Sequence, residues 1–116
     1  KQTNSIFLLG FKKNPFQYII KSKALFLTSL WEGMPNVLIH ALALKVPVVS
    51  FNCDSGPKEI LNDGKYGELI DINDSTNLKI KIKEAIENKL KYRYPFPLFI
   101  SNFSINKIGS KFVKLL

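Results

Sequence analysis

The residues best suited to chemistry lie close together in the first half of the chain, beginning with Glu32 and Gly33. Pro35 suits the first position of a helix, because its missing N–H would have no partner there, and Gly33 lets the backbone turn sharply into that helix. A helix that begins at the carboxyl end of a parallel strand directs unpaired N–H groups, and roughly half a positive charge, at whatever lies above the sheet. Asn36 and His40 follow on one helical face. This pattern predicts an anion-binding site with a carboxylate beside it.

Two short apolar segments flank this motif and predict the strands that position it. Ala24–Thr28 precedes the motif and Val46–Phe51 follows it, and both have the length and composition of buried strands. The segment Val37–Leu44 is apolar almost all round. We therefore expect a core helix that packs on its sheet and carries a polar tip.

The remaining segments continue the alternation of strands and helices. The predicted elements are a strand at Ile6–Leu9, a helix from Pro15 to about Lys21, a short helix at Pro57–Asn62, an edge strand at Gly67–Asp71, a helix of about Leu78–Lys91 capped by Asp74 or Ser75, and a terminal helix within Ser104–Leu116. This order predicts an α/β fold with a small parallel sheet flanked by helices. The prolines within Tyr92–Pro97 disfavour helix. They divide the chain into a main unit, residues 1–91, and a C-terminal segment, residues 92–116, that packs on it.

Charge and composition limit the class of protein. The formal net charge of +8 suits anionic partners such as nucleotide diphosphates, anionic lipid surfaces or nucleic acid. Nucleic acid is the least favoured of these, because the lysines are dispersed and Arg93 is the single arginine. No apolar run reaches the ~18 to 20 residues of a membrane span, and the chain does not begin with a secretory signal. We expect a cytoplasmic protein, with at most a peripheral contact with the inner face of the membrane.

Beyond its chemistry, the motif resembles that of a known family. The segment Glu32–His40 is similar to the donor-sugar motif of the retaining glycosyltransferases of family 4, the glycosyl transferases group 1, in which two glutamates are separated by seven residues. The similarity continues through Ala41–Ser50, Ser55–Ile60 and Asp63–Gly67 with its spacing preserved. It covers nearly the whole chain. Two positions depart from the family pattern, namely His40 in place of the second glutamate and Lys45 in place of a glycine at the helix end.

The resemblance implies a fold, a reaction and a set of site residues. The fold would be the C-terminal half of a GT-B protein, a partial Rossmann-like domain that binds a nucleotide sugar. The reaction would be retaining transfer of a sugar from a nucleotide-diphosphate donor to a saccharide or lipid-linked acceptor, with no metal and no other cofactor. Glu32 would be the catalytic residue beside the donor sugar. The donor-binding positions would be Gly33, Met34, Pro35, Asn36, Val37 and His40, and the base would lie near Phe11 and Lys12.

The same resemblance implies what the chain would need from elsewhere. Family members have an N-terminal acceptor domain, so the partner would be that domain or another chain. His40 can offer one acceptor and one donor where a glutamate accepts from both ribose hydroxyls. The alternative is therefore a catalytically inactive, truncated or regulatory domain that binds a nucleotide sugar.

Several residues are open to a purely structural interpretation. His40 can equally be a hydrogen-bonded residue of an apolar helix. Cys53 has no second cysteine to pair with, so we interpret it as a structural residue near the end of a strand. We expect Trp31 and the phenylalanines to lie in the core rather than to bind sugars.

Overall fold

The computed structural model describes residues 6–88, 101, 104, 106 and 107. Its centre is a parallel sheet in the order β1-β2-β3, in which Leu25 lies opposite Val48 and Val49 lies opposite Glu68. The strands are β1 (Leu25–Leu27), β2 (Val48–Phe51) and β3 (Glu68–Ile70), and the helices are α1 (Phe16–Ile19), α2 (Asn36–Ala43), α3 (Pro57–Ile60) and α4 (Ser75–Glu87). The predicted α/β fold, with a small parallel sheet flanked by helices, is confirmed.

The central strand β2 divides the core into two layers, because successive side chains of a strand point to opposite faces. On one face, Val48 packs with Leu38 and Ala41 of α2 and with Ile60 of α3. On the other face, the core cluster joins β2 and β3 to α4 through three buried residues, Val49, Ile70 and Ala85. The sheet thus holds α2 and α3 on the same side, next to each other.

Helix α2 ends in a tight left-handed turn at Lys45. The Lys45 N–H donates to the Leu42 carbonyl at 3.0 Å, and the Val46 N–H donates to the Ala41 carbonyl at 2.9 Å. These two bonds define a Schellman motif, whose turning residue is usually glycine. Lys45 adopts φ +58 in that position. The chain therefore makes the turn without the glycine that the resemblance led us to expect.

Helix α4 is anchored at both its start and its middle. Asp74 caps it, since its Oδ1 accepts from the Asn77 N–H at 2.9 Å, which confirms one of the two predicted caps. Lys81 reaches Glu84 at 3.1 Å and Glu68 of β3 at 3.7 Å. The hydrogen bond to Glu84 raises the pKa of Lys81 above its ordinary value, with the charges of both carboxylates adding to the effect and desolvation opposing it.

One predicted element is wrong. Residues 6–9 are irregular rather than a strand, and their side chains are exposed, with Ile6 at 88% and Leu8 at 96%. A strand needs a hydrogen-bonding neighbour and a packed layer on at least one face. Among the described residues, β1 lies at the edge of the sheet and residues 6–9 do not pair with it.

The other differences concern element ends. Strand β2 begins at Val48 rather than Val46, because Pro47 has no N–H to donate to a ladder. Helix α4 begins three residues earlier than predicted, directly after its cap. The predicted C-terminal segment, residues 92–116, lies outside the described residues except at four positions, so that boundary stays a prediction. In the part of the chain that the structure describes, no helix is both long and apolar enough to cross a membrane.

Candidate functional site

The candidate site is built on the loop between β1 and α2, residues 28–35, which we call the first loop. It leaves the carboxyl end of β1 and ends at Pro35, which is the N-cap of α2 with φ −72 and ψ 90. Pro35 therefore lies one position before the helical position predicted for it, because its ψ is still extended. Within residues 6–88, no side chain caps this helix. The N–H groups of Asn36 and Val37 thus lie at a helix N-terminus that a ligand can use.

A second loop, residues 52–56 between β2 and α3, contacts the first loop and supports its backbone. The Ser55 hydroxyl donates to the Glu32 carbonyl oxygen at 2.6 Å. Gly56 adopts φ +84, and a Cβ at this position would lie 2.5 Å from the Gly33 oxygen and 2.6 Å from the Pro35 Cδ. Only glycine allows both this backbone conformation and this close approach. The two loops are therefore in direct contact through backbone atoms.

This support was not predicted from the sequence. Gly56 is the N-cap of α3, and Ser55 directly precedes it. Their contacts with Glu32 and Gly33 join positions more than twenty residues apart. The available signal was indirect: two strand–loop–helix units in a parallel sheet place both loops at the same edge.

The predicted catalytic and donor-binding residues of the first loop and of the start of α2 lie together, with different degrees of burial. Glu32 and Val37 are half-buried, Pro35 is buried, and the remaining three, Gly33, Met34 and Asn36, are exposed. Their arrangement presents a carboxylate, a set of backbone amides and a helix N-terminus along one continuous stretch. Such a stretch can bind a ligand that carries both hydroxyl groups and negative charge. The individual roles of these residues stay predictions.

His40 lies one turn farther along α2 and is half-buried. Its ring contacts the ring of Phe16 in α1, with the centroids 4.8 Å apart and the planes at 73°. This edge-to-face geometry is a favourable aromatic arrangement. The histidine therefore has a packing role, and its half-exposed position leaves part of the imidazole accessible.

Phe11 and Lys12 are not brought against the first or the second loop. Both are exposed and lie in an irregular segment before α1, and Phe11 is 95% exposed. A side chain this exposed is not packed against the site. Their predicted contact with a nucleotide base stays a prediction.

The expected burial of the large aromatic residues is wrong in this region. Trp31 lies in the first loop and is 81% exposed. Phe7 and Phe11 are exposed as well, while Phe51 is half-buried against the second core cluster. Aromatic residues are apolar enough to suggest a core position, but Trp31 lies beyond the end of its strand, where neither helix layer covers it.

Cys53 of the second loop matches its structural interpretation. It is 3% exposed, and its Sγ lies 3.7 Å from the Ser55 carbonyl oxygen. Among the described residues, no cluster of three or more His, Cys, Asp or Glu side chains could hold a metal ion.

Comparison with known proteins identifies the family to which this site belongs. A model of the glycosyl transferases group 1 matches residues 1–95. The chain is 33% identical over 90 residues to the N-acetylgalactosamine-N,N'-diacetylbacillosaminyl-diphospho-undecaprenol 4-alpha-N-acetylgalactosaminyltransferase of Campylobacter jejuni, a match that covers 77% of this chain and 25% of that relative. It is 30% identical over 119 residues to the lipopolysaccharide 1,6-galactosyltransferase of Salmonella typhimurium, with 90% of this chain and 33% of that relative covered.

A solved structure agrees with these relatives. The crystal structure of TarM matches 90% of this chain with a TM-score of 0.72 and 28% sequence identity, and the match covers 22% of TarM. The chain thus spans between about a fifth and a third of the length of these three proteins. The resemblance drawn from the Glu32 motif is confirmed: the chain belongs to the glycosyl transferases group 1, a family of GT-B glycosyltransferases.

Proposed function

We propose that this chain is the C-terminal part of the donor-binding domain of a retaining glycosyltransferase. The complete enzyme transfers a sugar from a nucleotide-diphosphate donor to a saccharide or lipid-linked acceptor. The observation that carries the proposal is the fixed first loop. Ser55 and Gly56 hold its backbone from behind, so that Glu32 and the start of α2 keep one geometry at the edge of the sheet. Groups held in place before the ligand arrives need no reorganisation during the reaction.

The start of α2 is suited to the leaving group. When the bond between the anomeric carbon and the diphosphate breaks, positive charge develops on the sugar and negative charge on the leaving phosphate. The amides of Met34, Asn36 and Val37, together with the helix dipole, favour the growing negative charge. In this proposal the amides do the work that a metal ion does in other phosphate sites, and no cofactor takes part.

Glu32 is assigned to the sugar end of the donor. A carboxylate accepts hydrogen bonds from two hydroxyl groups at once, and a negative charge beside the anomeric centre favours the developing positive charge. Glu32 is half-buried, which strengthens both effects relative to a fully solvated carboxylate. Its backbone carbonyl accepts a hydrogen bond from the Ser55 hydroxyl, which favours one position of the backbone at Glu32.

His40 is assigned to the ribose. It lies about 7.5 Å along the helix axis from Pro35 at ~1.5 Å per residue, a span that fits a diphosphate followed by a ribose. Its contact with Phe16 favours a second candidate function, namely binding without transfer. A histidine that packs against a neighbour and replaces a carboxylate holds the ribose more weakly, so the chain would then be an inactive or regulatory nucleotide-sugar-binding domain.

The acceptor class is proposed from the relatives. The names of the two curated relatives specify a diphospho-undecaprenol-linked glycan and lipopolysaccharide as the molecules that those enzymes extend. We extend this class, a saccharide on a lipid of the cell envelope, to the complete form of the present protein. Its acceptor domain belongs to the same polypeptide or to a partner chain, and the complete enzyme works in the cytoplasm at the inner face of the membrane, without nucleic acid.

Calorimetric titration tests the donor site directly. The 116-residue chain is titrated with uridine and guanosine diphosphate sugars and with the corresponding nucleoside diphosphates. Glu32→Gln should weaken binding of the nucleotide sugar about tenfold, because it removes a charged hydrogen-bond acceptor, and should leave the nucleoside diphosphate unchanged. Glu59→Gln is the matched control, since Glu59 is an exposed acid at the start of α3.

Two results would contradict the proposal: no binding of any nucleotide sugar by the folded chain, or equal losses from Glu32→Gln and Glu59→Gln. Transfer is then assayed with the acceptor domain supplied in the same polypeptide or as a second chain. Release of nucleoside diphosphate, with the anomeric configuration retained in the product, supports the enzyme. Donor binding without turnover supports the regulatory alternative.

A further inference from the structure

Trp31 is an exposed aromatic residue that directly precedes the candidate catalytic residue Glu32 in the sequence. Its side chain is 81% exposed, although it is the largest apolar surface in the first loop. Leu30 and Met34 of the same loop are 47% and 45% exposed. Leaving this much apolar surface in water forfeits the free energy of burial. The loop thus presents an apolar surface next to Glu32 that the described fold does not use.

The backbone that directly follows Trp31 is held by the second loop. The residue after it, Glu32, is held by the Ser55 hydroxyl at 2.6 Å, and Gly33 is in contact with Gly56. Phe7 is also exposed, at 78%, but it belongs to residues 6–9, which do not pair with the sheet. An aromatic side chain has only two rotatable bonds, so on a held backbone it loses little conformational freedom when it binds a ligand, and this lowers the cost of binding.

We propose that Trp31 is the platform on which a pyranose ring stacks while Glu32 binds its hydroxyl groups. One face of a pyranose consists largely of C–H groups, and its rim carries hydroxyl groups. The indole matches both features with an apolar face and a single N–H donor. This inference rests on the proposed function, because it supposes that a sugar is bound at Glu32. The pyranose is the sugar of the donor or that of the acceptor, and the experiment distinguishes the two.

Trp31 is also the single tryptophan of the chain, so its fluorescence reports on this site alone. The chain is titrated with uridine and guanosine diphosphate sugars, with the nucleoside diphosphates, and with a saccharide added to the diphosphate-bound chain. Emission and quenching by acrylamide are followed, and binding is measured in parallel by calorimetry. We expect a blue shift and reduced quenching when the pyranose covers the indole, because the ring then leaves water.

The variants separate stacking from folding. Trp31→Ala should weaken binding of the sugar-containing ligand about fivefold to tenfold, while Trp31→Phe, which keeps an aromatic face, should lose no more than about threefold. Phe7→Ala is the matched control, because it removes an exposed aromatic ring away from the loop, and it should change nothing. Circular dichroism and urea unfolding check that all three variants are folded.

Each outcome has one meaning. A fluorescence change with nucleotide sugar but not with diphosphate assigns the platform to the donor sugar, and a change that requires the added saccharide assigns it to the acceptor. In a third outcome, calorimetry shows that nucleotide sugar and saccharide bind, but Trp31 emission, its quenching and the affinity of Trp31→Ala all stay the same. The proposal that Trp31 is a platform is then wrong, and the proposed function stands. If no nucleotide sugar binds, the proposed function is wrong and the platform falls with it.

Discussion

The two loops at the carboxyl edge of the sheet have the same design but differ in which residues they bury. Each follows a parallel strand and leads into a helix, but the first loop exposes Trp31 and Met34 to solvent, whereas the second loop buries Cys53 and Gly56. The second loop is anchored at these two positions, while Asn52, Asp54 and Ser55 are exposed, and it contacts the first loop through Ser55 and Gly56. We infer that the two loops have different tasks: the second loop supports the backbone of the first, and the first loop contacts the ligand.

The strongest test of this division is Gly56→Ala. The new Cβ would lie 2.5 Å from the Gly33 oxygen, at a φ of +84. Left-handed strain costs about 1–2 kcal/mol, and overpacking adds about 1–3 kcal/mol, so the free energy of unfolding should fall by about 3 kcal/mol. Urea unfolding measures this loss. Nucleotide-sugar affinity should also fall at least tenfold, because the first loop has to move.

Gly64→Ala is the matched control for that experiment. Gly64 has a similar φ of +87, but the nearest atom to its added Cβ, the Gly67 oxygen, lies 3.7 Å away. Its cost should be the strain alone, about 1–2 kcal/mol, with no effect on affinity. Equal effects of the two substitutions would show that the contact between the loops is unimportant.

His40→Glu tests the proposed ribose contact, which lies one turn beyond the first loop. A glutamate would accept hydrogen bonds from both ribose hydroxyls. Calorimetry should show nucleotide-sugar affinity rising by about ten- to a hundredfold, equivalent to roughly 1.5–3 kcal/mol. His40→Gln is the control, because it also removes the ring contact with Phe16 but adds no charge. An affinity that stays the same in His40→Glu would remove His40 from the ribose site.

Ser55→Ala weakens the bond that joins the loops without introducing a clash. Loss of the 2.6 Å hydrogen bond to the Glu32 carbonyl should lower the free energy of unfolding by about 1 kcal/mol. It should also weaken nucleotide-sugar binding several-fold. Ser22→Ala removes a bond of the same length and type, to the Ile19 carbonyl at 2.6 Å, outside both loops. If both variants bind the donor equally well, Ser55 supports the fold and not the site.

Lys45→Gly should stabilise the chain, because it relieves the strain of a left-handed backbone conformation. This strain lies at the end of α2 and not in either loop. Glycine adopts the observed φ of +58 without steric cost, but it loses more backbone entropy on folding. The net gain in the free energy of unfolding should be about 0.5–1 kcal/mol, measured by urea unfolding. Lys23→Gly, at a position that does not have a positive φ, should destabilise slightly. Donor affinity should be the same in both variants.

The smallest effect is expected at Lys81, on the opposite face of the sheet. Its hydrogen bond to Glu84 raises its pKa in the folded chain. The stability contributed by the charged lysine is therefore complete below the unfolded-state pKa of about 10.5 and is lost as pH rises through the raised pKa. Lys81→Met should cost less than about 1 kcal/mol at neutral pH.

Comparing Lys81→Met with the wild type at about pH 7 and about pH 11 checks the sign, because the difference in the free energy of unfolding should shrink at the higher pH. Lys58→Met is the control. Its pair with Asp63 is 3.6 Å long and well exposed, with side chains at 59% and 75%, so its removal should have no measurable effect. A difference that grows with pH would contradict the assigned ion pair.

The sequence predicted the parts of this fold that depend on local pattern. The apolar runs around the motif became β1 and β2, and the apolar segment after Pro35 became α2. Asp74 was found as a cap because capping residues act on the turn that follows them. The family was found because the Glu32 motif and its neighbours keep a spacing that extends over most of the chain.

The features that the sequence did not predict depend on distant residues. Ile6–Leu9 has the composition of a strand, but pairing requires a neighbour. Trp31 is apolar, but its burial depends on whether a helix covers the end of β1. The contact between Ser55 and Glu32 joins two loops, and nothing in either segment alone indicates it. The roles of Glu32, Met34 and His40 toward a donor stay predictions until a ligand is bound.

The close approach of Gly56 to Gly33 and Pro35 has a consequence for protein engineering. A donor-specificity graft that transplants only the segment around Glu32 from a homologue would place a foreign backbone against a neighbour shaped for the original one. Residues 55 and 56 have to be transplanted together with that segment. Chimeras built this way should retain folding and acquire the donor preference of the homologue, whereas single-segment grafts should lose both.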